Sequence, residues 1–147
     1  MTTPLQAKKP LKSTSLMSFK EIAVGDHSFQ GKEKPIRLKD LIENPLISLG
    51  QGSTTYEFYS KFFLENDLVL SPDTEVETID QVLPLIMNGL GIGFLPELFV
   101  RQVIEEGKVC QIPLKENIPE REICLVENHT FPPSIAAEMF KKMLVLK

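Results

Sequence analysis

Tryptophan is absent from this sequence of 147 residues, and there are only two histidines and two cysteines, so little of the usual catalytic and metal-binding chemistry has side chains to work with. Cys110 and Cys124 each sit in an apolar, strand-like run, separated by a proline-bearing loop. Neither a CxxC metal pair nor a disulfide framework follows from that spacing, and two buried reduced thiols are expected. His27 and His129 stand in turn-like contexts with no nucleophile or metal ligand at a telling distance along the chain, which leaves no catalytic set and no call for a metal or cofactor. A basic surplus is lacking too: 16 Lys and Arg stand against 20 Asp and Glu, a net charge of -4. A unit that grips phosphates needs clustered cations, so this chain does not bind nucleic acid by itself. No apolar run approaches bilayer length and no basic leader precedes an apolar core, which predicts a cytoplasmic protein without membrane contact.

The 42% of hydrophobic residues can bury one ordinary core, or one core and a fragment of a second. Residues 1–18 are polar and weakly periodic, and Lys8, Lys9 and Lys12 among Pro4 and Pro10 read as a solvated, irregular end. From Phe19 onward strands and helices alternate. Strands are expected at 21–24, 46–49, 75–78, 92–95, 109–113 and 122–126. Helical segments are expected at 38–42, from Ser53 or Thr54 onward, at 79–90, from Pro96 to Gly107, and at 133–146. Ser53 or Thr54 is a natural N-cap, with Glu57 placed for a capping box and Tyr56, Tyr59, Phe62 and Phe63 on the apolar face. In the third helix Leu98, Phe99, Val103 and Ile104 form the expected buried stripe, and the last helix carries Ile135, Met139, Phe140, Met143 and Leu144. Such alternation implies parallel strand pairs with crossover helices, hence an open α/β sheet.

The stretch TEVETIDQVLPLIMNGLGIGFLP, residues 74–96, carries the most information. Ile79, Val82, Leu83, Ile86, Met87 and Leu90 recur at helical spacing, Gly89 or Gly91 can take the left-handed cap conformation, and an apolar strand then ends at Pro96. Gly89, Gly91 and Gly93 resemble a dinucleotide fingerprint only superficially, because that motif follows a strand and opens a helix, whereas here a helix precedes a strand. Close helix-to-sheet packing explains these glycines. Similarly, Gly50, Gly52 and Ser53 do not make a nucleophile elbow, since the serine is adjacent to the second glycine rather than between the two.

From Phe19 to Leu144 the chain resembles the C-terminal effector-binding domain of LysR-type transcriptional regulators. The resemblance rests on FKEIAVGDHSFQGKEKPIRLKDLIENPLISLGQGST, on the helix–glycine–strand pattern TIDQVLPLIMNGLGIGFLP, and on FPPSIAAEMFKKML, similar to the family's closing helix. It implies an open mixed sheet flanked by helices, related to type 2 periplasmic binding proteins, with two subdomains and an effector in the cleft between them. It further implies that residues 1–18 are a remnant of the first subdomain and a linker, 19–113 the second effector-binding subdomain, and 114–147 a returning crossover strand and closing helix of the first. MTTPL at the start looks like the end of a first-subdomain strand. A shortened chain is therefore expected, with DNA contacted only through an N-terminal winged helix-turn-helix that this sequence does not contain. Exposed apolar surface on an incomplete first subdomain predicts a dimer or higher oligomer. A solute-binding protein of the periplasmic type shares the architecture and is the alternative.

Ligands in open α/β sheets bind beyond the carboxyl ends of strands, where helix N-termini present amides. Gly52, Ser53, Thr54 and Thr55, in GQGSTT, form one such turn and suit an anion or carboxylate. Ordinary helix capping explains the same composition. The resemblance places a second effector-contacting turn at Thr78 and Ile79, where capping is again the alternative. Phe94 and Pro96, closing the next strand, are expected to line the same cleft, although plain core packing would also account for Phe94.

Overall fold

The computed structural model describes residues 11–128, 130, 132 and 134–145. The expected MTTPL strand end, Pro4, Lys8, Lys9, Pro10, His129, Pro133 and Leu146 fall outside the described residues. The chain divides into two compact units, one made of the described residues up to Phe19 together with those from Glu120 onward, the other of Lys20–Pro119.

The first unit holds strand β1 (Leu11–Phe19), strand β7 (Arg121–Asn128) and helix α5 (Ile135–Val145). β1 and β7 pair antiparallel from Leu11↔Asn128 to Phe19↔Arg121, with a bulge between Ser15 and Met17. Residues 11–18, expected to be irregular, are thus strand. Their polar composition hid this, because the hydrogen-bond partner that makes them extended lies about a hundred residues further along. In α5 most of the apolar stripe expected on the helix is exposed among the described residues: Ile135 is 79% and Met143 65% exposed, while Leu144 is half-buried. On a different side of that helix, Lys141 reaches the Glu127 carboxylate of β7 at 3.0 Å.

The second unit contains β2 (Glu21–Asp26), α1 (Leu38–Leu41), β3 (Leu46–Leu49), α2 (Thr54–Glu65), β4 (Thr74–Val76), α3 (Val82–Met87), β5 (Ile92–Pro96), α4 (Glu97–Glu105) and β6 (Val109–Ile112). Its five-stranded sheet runs β4-β3-β5-β2-β6. β3 is parallel to β4 and β5, as alternating strands and helices require, but β2 lies antiparallel to both β5 and β6, making the sheet mixed. Strand side chains alternate between faces. Ala23, Leu46 and Phe94 face one way and pack with Leu38 and Leu41 of α1 and Tyr59, Phe62 and Phe63 of α2. Ile22, Val24, Ile47 and Leu95 face the other way and pack with Val82, Ile86 and Val100 from α3 and α4.

Three local expectations are corrected. The segment 79–90 is not one helix: a 3-10 turn at Ile79–Gln81 leads into α3, and Met87 and Leu90 of the expected apolar face are exposed. Gly89, at φ +74°, closes α3 as the Leu90 amide donates back to the Leu85 carbonyl at 3.0 Å, so the glycine cap is Gly89. In α4, Leu98 and Phe99 are 54% and 62% exposed while Val100 is fully buried, so the stripe runs through Val100, Val103 and Ile104 instead. The positions i, i+3 and i+4 from Val100 form a better helical row than the expected pair of adjacent residues. Pro96 ends β5 as the N-cap of α4 rather than opening the helix, and the Glu97 amide donates to the Lys20 carbonyl at 2.8 Å.

Candidate functional site

α2 follows β3 onto one face of the sheet, whereas α4 follows the neighbouring parallel strand β5 onto the other. Adjacent parallel strands whose helices leave in opposite directions define the switch point at which open α/β sheets take their ligands. A shallow depression lies there. Residues 47–49 of β3 form its floor with Phe94 of β5; Thr55 and Tyr59 rise from α2 on one side, Ile79 and Val82 from the segment leading into α3 on the other.

Each wall is held by local chemistry. Gly52, at φ +93°, turns the chain out of β3, and Ser53 caps α2: its Oγ accepts from the Tyr56 amide at 3.0 Å and donates to the Gly50 carbonyl at 3.0 Å. With Ser53 as the cap, Glu57 falls one position beyond the capping-box place, so the expected box at Glu57 does not form. A reciprocal arrangement does occur across the depression, where the Gln81 side-chain oxygen accepts from the amides of Glu77 (2.9 Å) and Thr78 (3.2 Å) and fixes the turn that presents Ile79.

Of the residues singled out from sequence, Thr55, Ile79 and Phe94 come together in the lining. Gly52, Ser53 and Thr54 build the turn and first residue of α2 beside Thr55, and Thr78 adjoins Ile79 at an exposed position. Pro96 is buried two residues beyond Phe94 and outside the lining. Tyr59, not singled out from sequence, also lines the depression. It lies four residues after Thr55, one helical turn on, and that spacing is the signal that could have found it. Its ring stacks on Phe94 at 4.6 Å between centroids and 28° between planes, while its hydroxyl donates at 2.5 Å to the buried carboxylate of Glu21.

Among the described residues the lining carries no ionised side chain. Among the described residues no group of three or more His, Cys, Asp or Glu is placed to hold a metal, and no helix is long and apolar enough to cross a membrane. The resolved electrostatic perturbations lie elsewhere. Hydrogen bonds from the Ser28 hydroxyl and amide hold the Asp26 carboxyl below its ordinary range, and hydrogen bonds from Lys108 and Gln102 do the same for Glu106. Among the described residues the lining offers no nucleophile with an adjacent base.

Comparison with known proteins bears on what the depression does. A 100-residue alignment, 68% of this chain and 33% of the relative, is 29% identical to the uncharacterised HTH-type transcriptional regulator YwqM of Bacillus subtilis (strain 168). A 64-residue alignment, 44% of this chain and 21% of the relative, is 36% identical to the HTH-type transcriptional activator CmpR of Synechocystis. The chain therefore spans a third or less of the curated relatives it matches. Among solved structures, the effector binding domain of QuiR in complex with shikimate superposes with a TM-score of 0.82 at 17% identity, covering 98% of this chain and 68% of that one. The Synechocystis PCC6803 CcmR regulatory domain in complex with 2-PG gives 0.84 at 13% identity, covering 99% and 70%. The family described as the LysR substrate binding domain matches residues 4–146, and this chain belongs to that family, the effector-binding domain of LysR-type transcriptional regulators.

Proposed function

We propose that this chain senses a small-molecule effector at the depression beside the N-terminus of α2, with Thr55, Ile79 and Phe94 in contact, Gly52, Ser53 and Thr54 shaping the turn, and Thr78 and Pro96 holding the neighbouring backbone. The observation that carries the reading is the placement of this depression at the switch point between β3 and β5, in a fold whose solved relatives hold shikimate and 2-PG. A cytoplasmic regulator follows, in which DNA is contacted through a part of the protein other than this acidic chain. Effector binding would act by differing in affinity for two conformations of the regulator. Residues 1–18, 19–113 and 114–147 then serve as first-subdomain remnant with linker, second effector subdomain, and returning crossover with closing helix.

The test is the melting temperature across small carboxylates, amino acids, inorganic anions, shikimate and 2-PG, because a ligand of the native state raises it by mass action. At least one compound should raise it, and Thr55→Val should diminish the rise. A panel that changes nothing contradicts the reading.

Self-association belongs to the same proposal. The exposed stripe of Ile135, Met139, Phe140 and Met143 on α5 is the kind of apolar surface that seeks cover. Sedimentation should show a dimer or larger species; a monomer over a wide concentration range would contradict it.

A further inference from the structure

Ile79 and Val82 form one side of the depression, but they are fixed unequally. Val82, 2% exposed, is gripped by the core together with Ile47, Ile86 and Val100. Ile79 is half-buried and belongs to a three-residue 3-10 turn, so packing holds it less firmly. The chain reaches it from the edge strand β4, whose pairing with β3 ends at Leu49↔Val76. The next two amides, of Glu77 and Thr78, lie past that ladder, and both donate to the side-chain oxygen of Gln81, at 2.9 and 3.2 Å. The Gln81 amide in turn donates to the Thr78 carbonyl at 3.2 Å. One residue thus closes the turn around Ile79, and that residue is itself exposed and outside the lining.

We infer that Gln81 is a positioning residue of this site: without touching the ligand, it sets where Ile79 stands against the depression. This rests on the effector-sensing reading above and adds to it a residue on which affinity depends. A ligand that meets Ile79 already in place has no turn to order, whereas a turn released from Gln81 must be ordered on binding, at a cost in affinity. The role needs an acceptor oxygen at this place. Glutamate supplies one, as it does in a capping box, and alanine does not.

NMR of the full chain compares Gln81→Ala with Gln81→Glu, first without ligand and then with benzoate, leucine and inorganic phosphate as probes. Without ligand, Gln81→Ala should speed hydrogen exchange at the Glu77 and Thr78 amides and move the Ile79 methyl resonances. Those of Val100, fully buried on α4, should stay in place, and Gln81→Glu should behave as the wild type. For a probe that binds, Gln81→Ala should weaken binding about two- to tenfold, the factor that one net hydrogen bond represents. Gln81→Glu should bring the affinity back, and Gln81→Ala added to Ile79→Ala should cost little more than Ile79→Ala alone. Ile79 methyls unmoved by Gln81→Ala, equal losses from the two Gln81 variants, or an affinity that Gln81→Ala leaves unchanged would overturn the inference and leave effector sensing standing. If the three probes are silent, the compound with the largest melting-temperature rise takes their place. If no compound binds or raises the melting temperature, both readings are overturned.

Discussion

The phenol of Tyr59 on α2 donates a 2.5 Å hydrogen bond to the carboxylate of Glu21, the first residue of β2, and both side chains are buried, at 3% and 5% exposure. The bond ties the wall of the candidate site to the strand with which the chain enters its larger unit. Tyr59→Phe keeps the ring on Phe94 and removes the donor. It should lower unfolding free energy by about 1.5–3 kcal/mol, the range for a hydrogen bond to a charged group. Urea denaturation measures this, and an unchanged midpoint would show that the bond contributes nothing to stability.

Ser53 caps α2 alone, without help from Glu57. Ser53→Ala should therefore cost about 1 kcal/mol, as loss of an N-cap does, while Glu57→Gln should leave the midpoint within roughly 0.5 kcal/mol. Equal losses from the two variants would indicate that a capping box operates in solution.

Gly91, at φ +158°, illustrates a position where lack of space adds to a backbone conformation that side chains rarely adopt. A Cβ there would stand 2.5 Å from the carbonyl oxygen of Pro45, which accepts the Ile92 amide at 2.8 Å and so cannot withdraw freely. Gly91→Ala should destabilise by about 1–3 kcal/mol or more, the range for overpacking. Exposed Gly31, with nothing within 4 Å of a Cβ but φ +83°, should lose only the cost of that backbone conformation on the same substitution.

Asp26 gives the chain an acid-side sensitivity of known sign. Its folded-state pKa is depressed below the ordinary 3.8 by the Ser28 hydroxyl and amide, so its contribution is present above the unfolded pKa and lost as pH falls through the folded one. Stability should be insensitive to this group near neutrality and should decline below the ordinary carboxylate range. Asp26→Asn should reduce that decline in acid denaturation. The effect will be small, because the group is largely solvated.

Much of the larger unit was legible because its signals are local. The strand at Leu46–Leu49 and the cap at Ser53 need only neighbouring residues, and Gly89 closes α3 through a bond back to Leu85. What escaped depends on distant partners. β1 is extended because β7 pairs with it, and Glu21, a carboxylate at a buried strand position, accepts a hydrogen bond from Tyr59, 38 residues away. The register of α4 was lost for a related reason. Leu98 and Phe99 are as apolar as Val100, and only the position of the sheet decides which of them is covered. At the site, Thr55, Ile79 and Phe94 could be named from strand-to-helix turns, but Tyr59 and Val82 enter the lining through helix geometry and sheet order, which composition does not carry.

Amide chemical-shift mapping with whichever compound raises the melting temperature most tests the central claim directly. The largest shifts should cluster at Thr55, Tyr59, Ile79, Val82 and Phe94, around the switch point between β3 and β5. Shifts confined to α4 or α5, or none with any compound, would contradict effector sensing at this site.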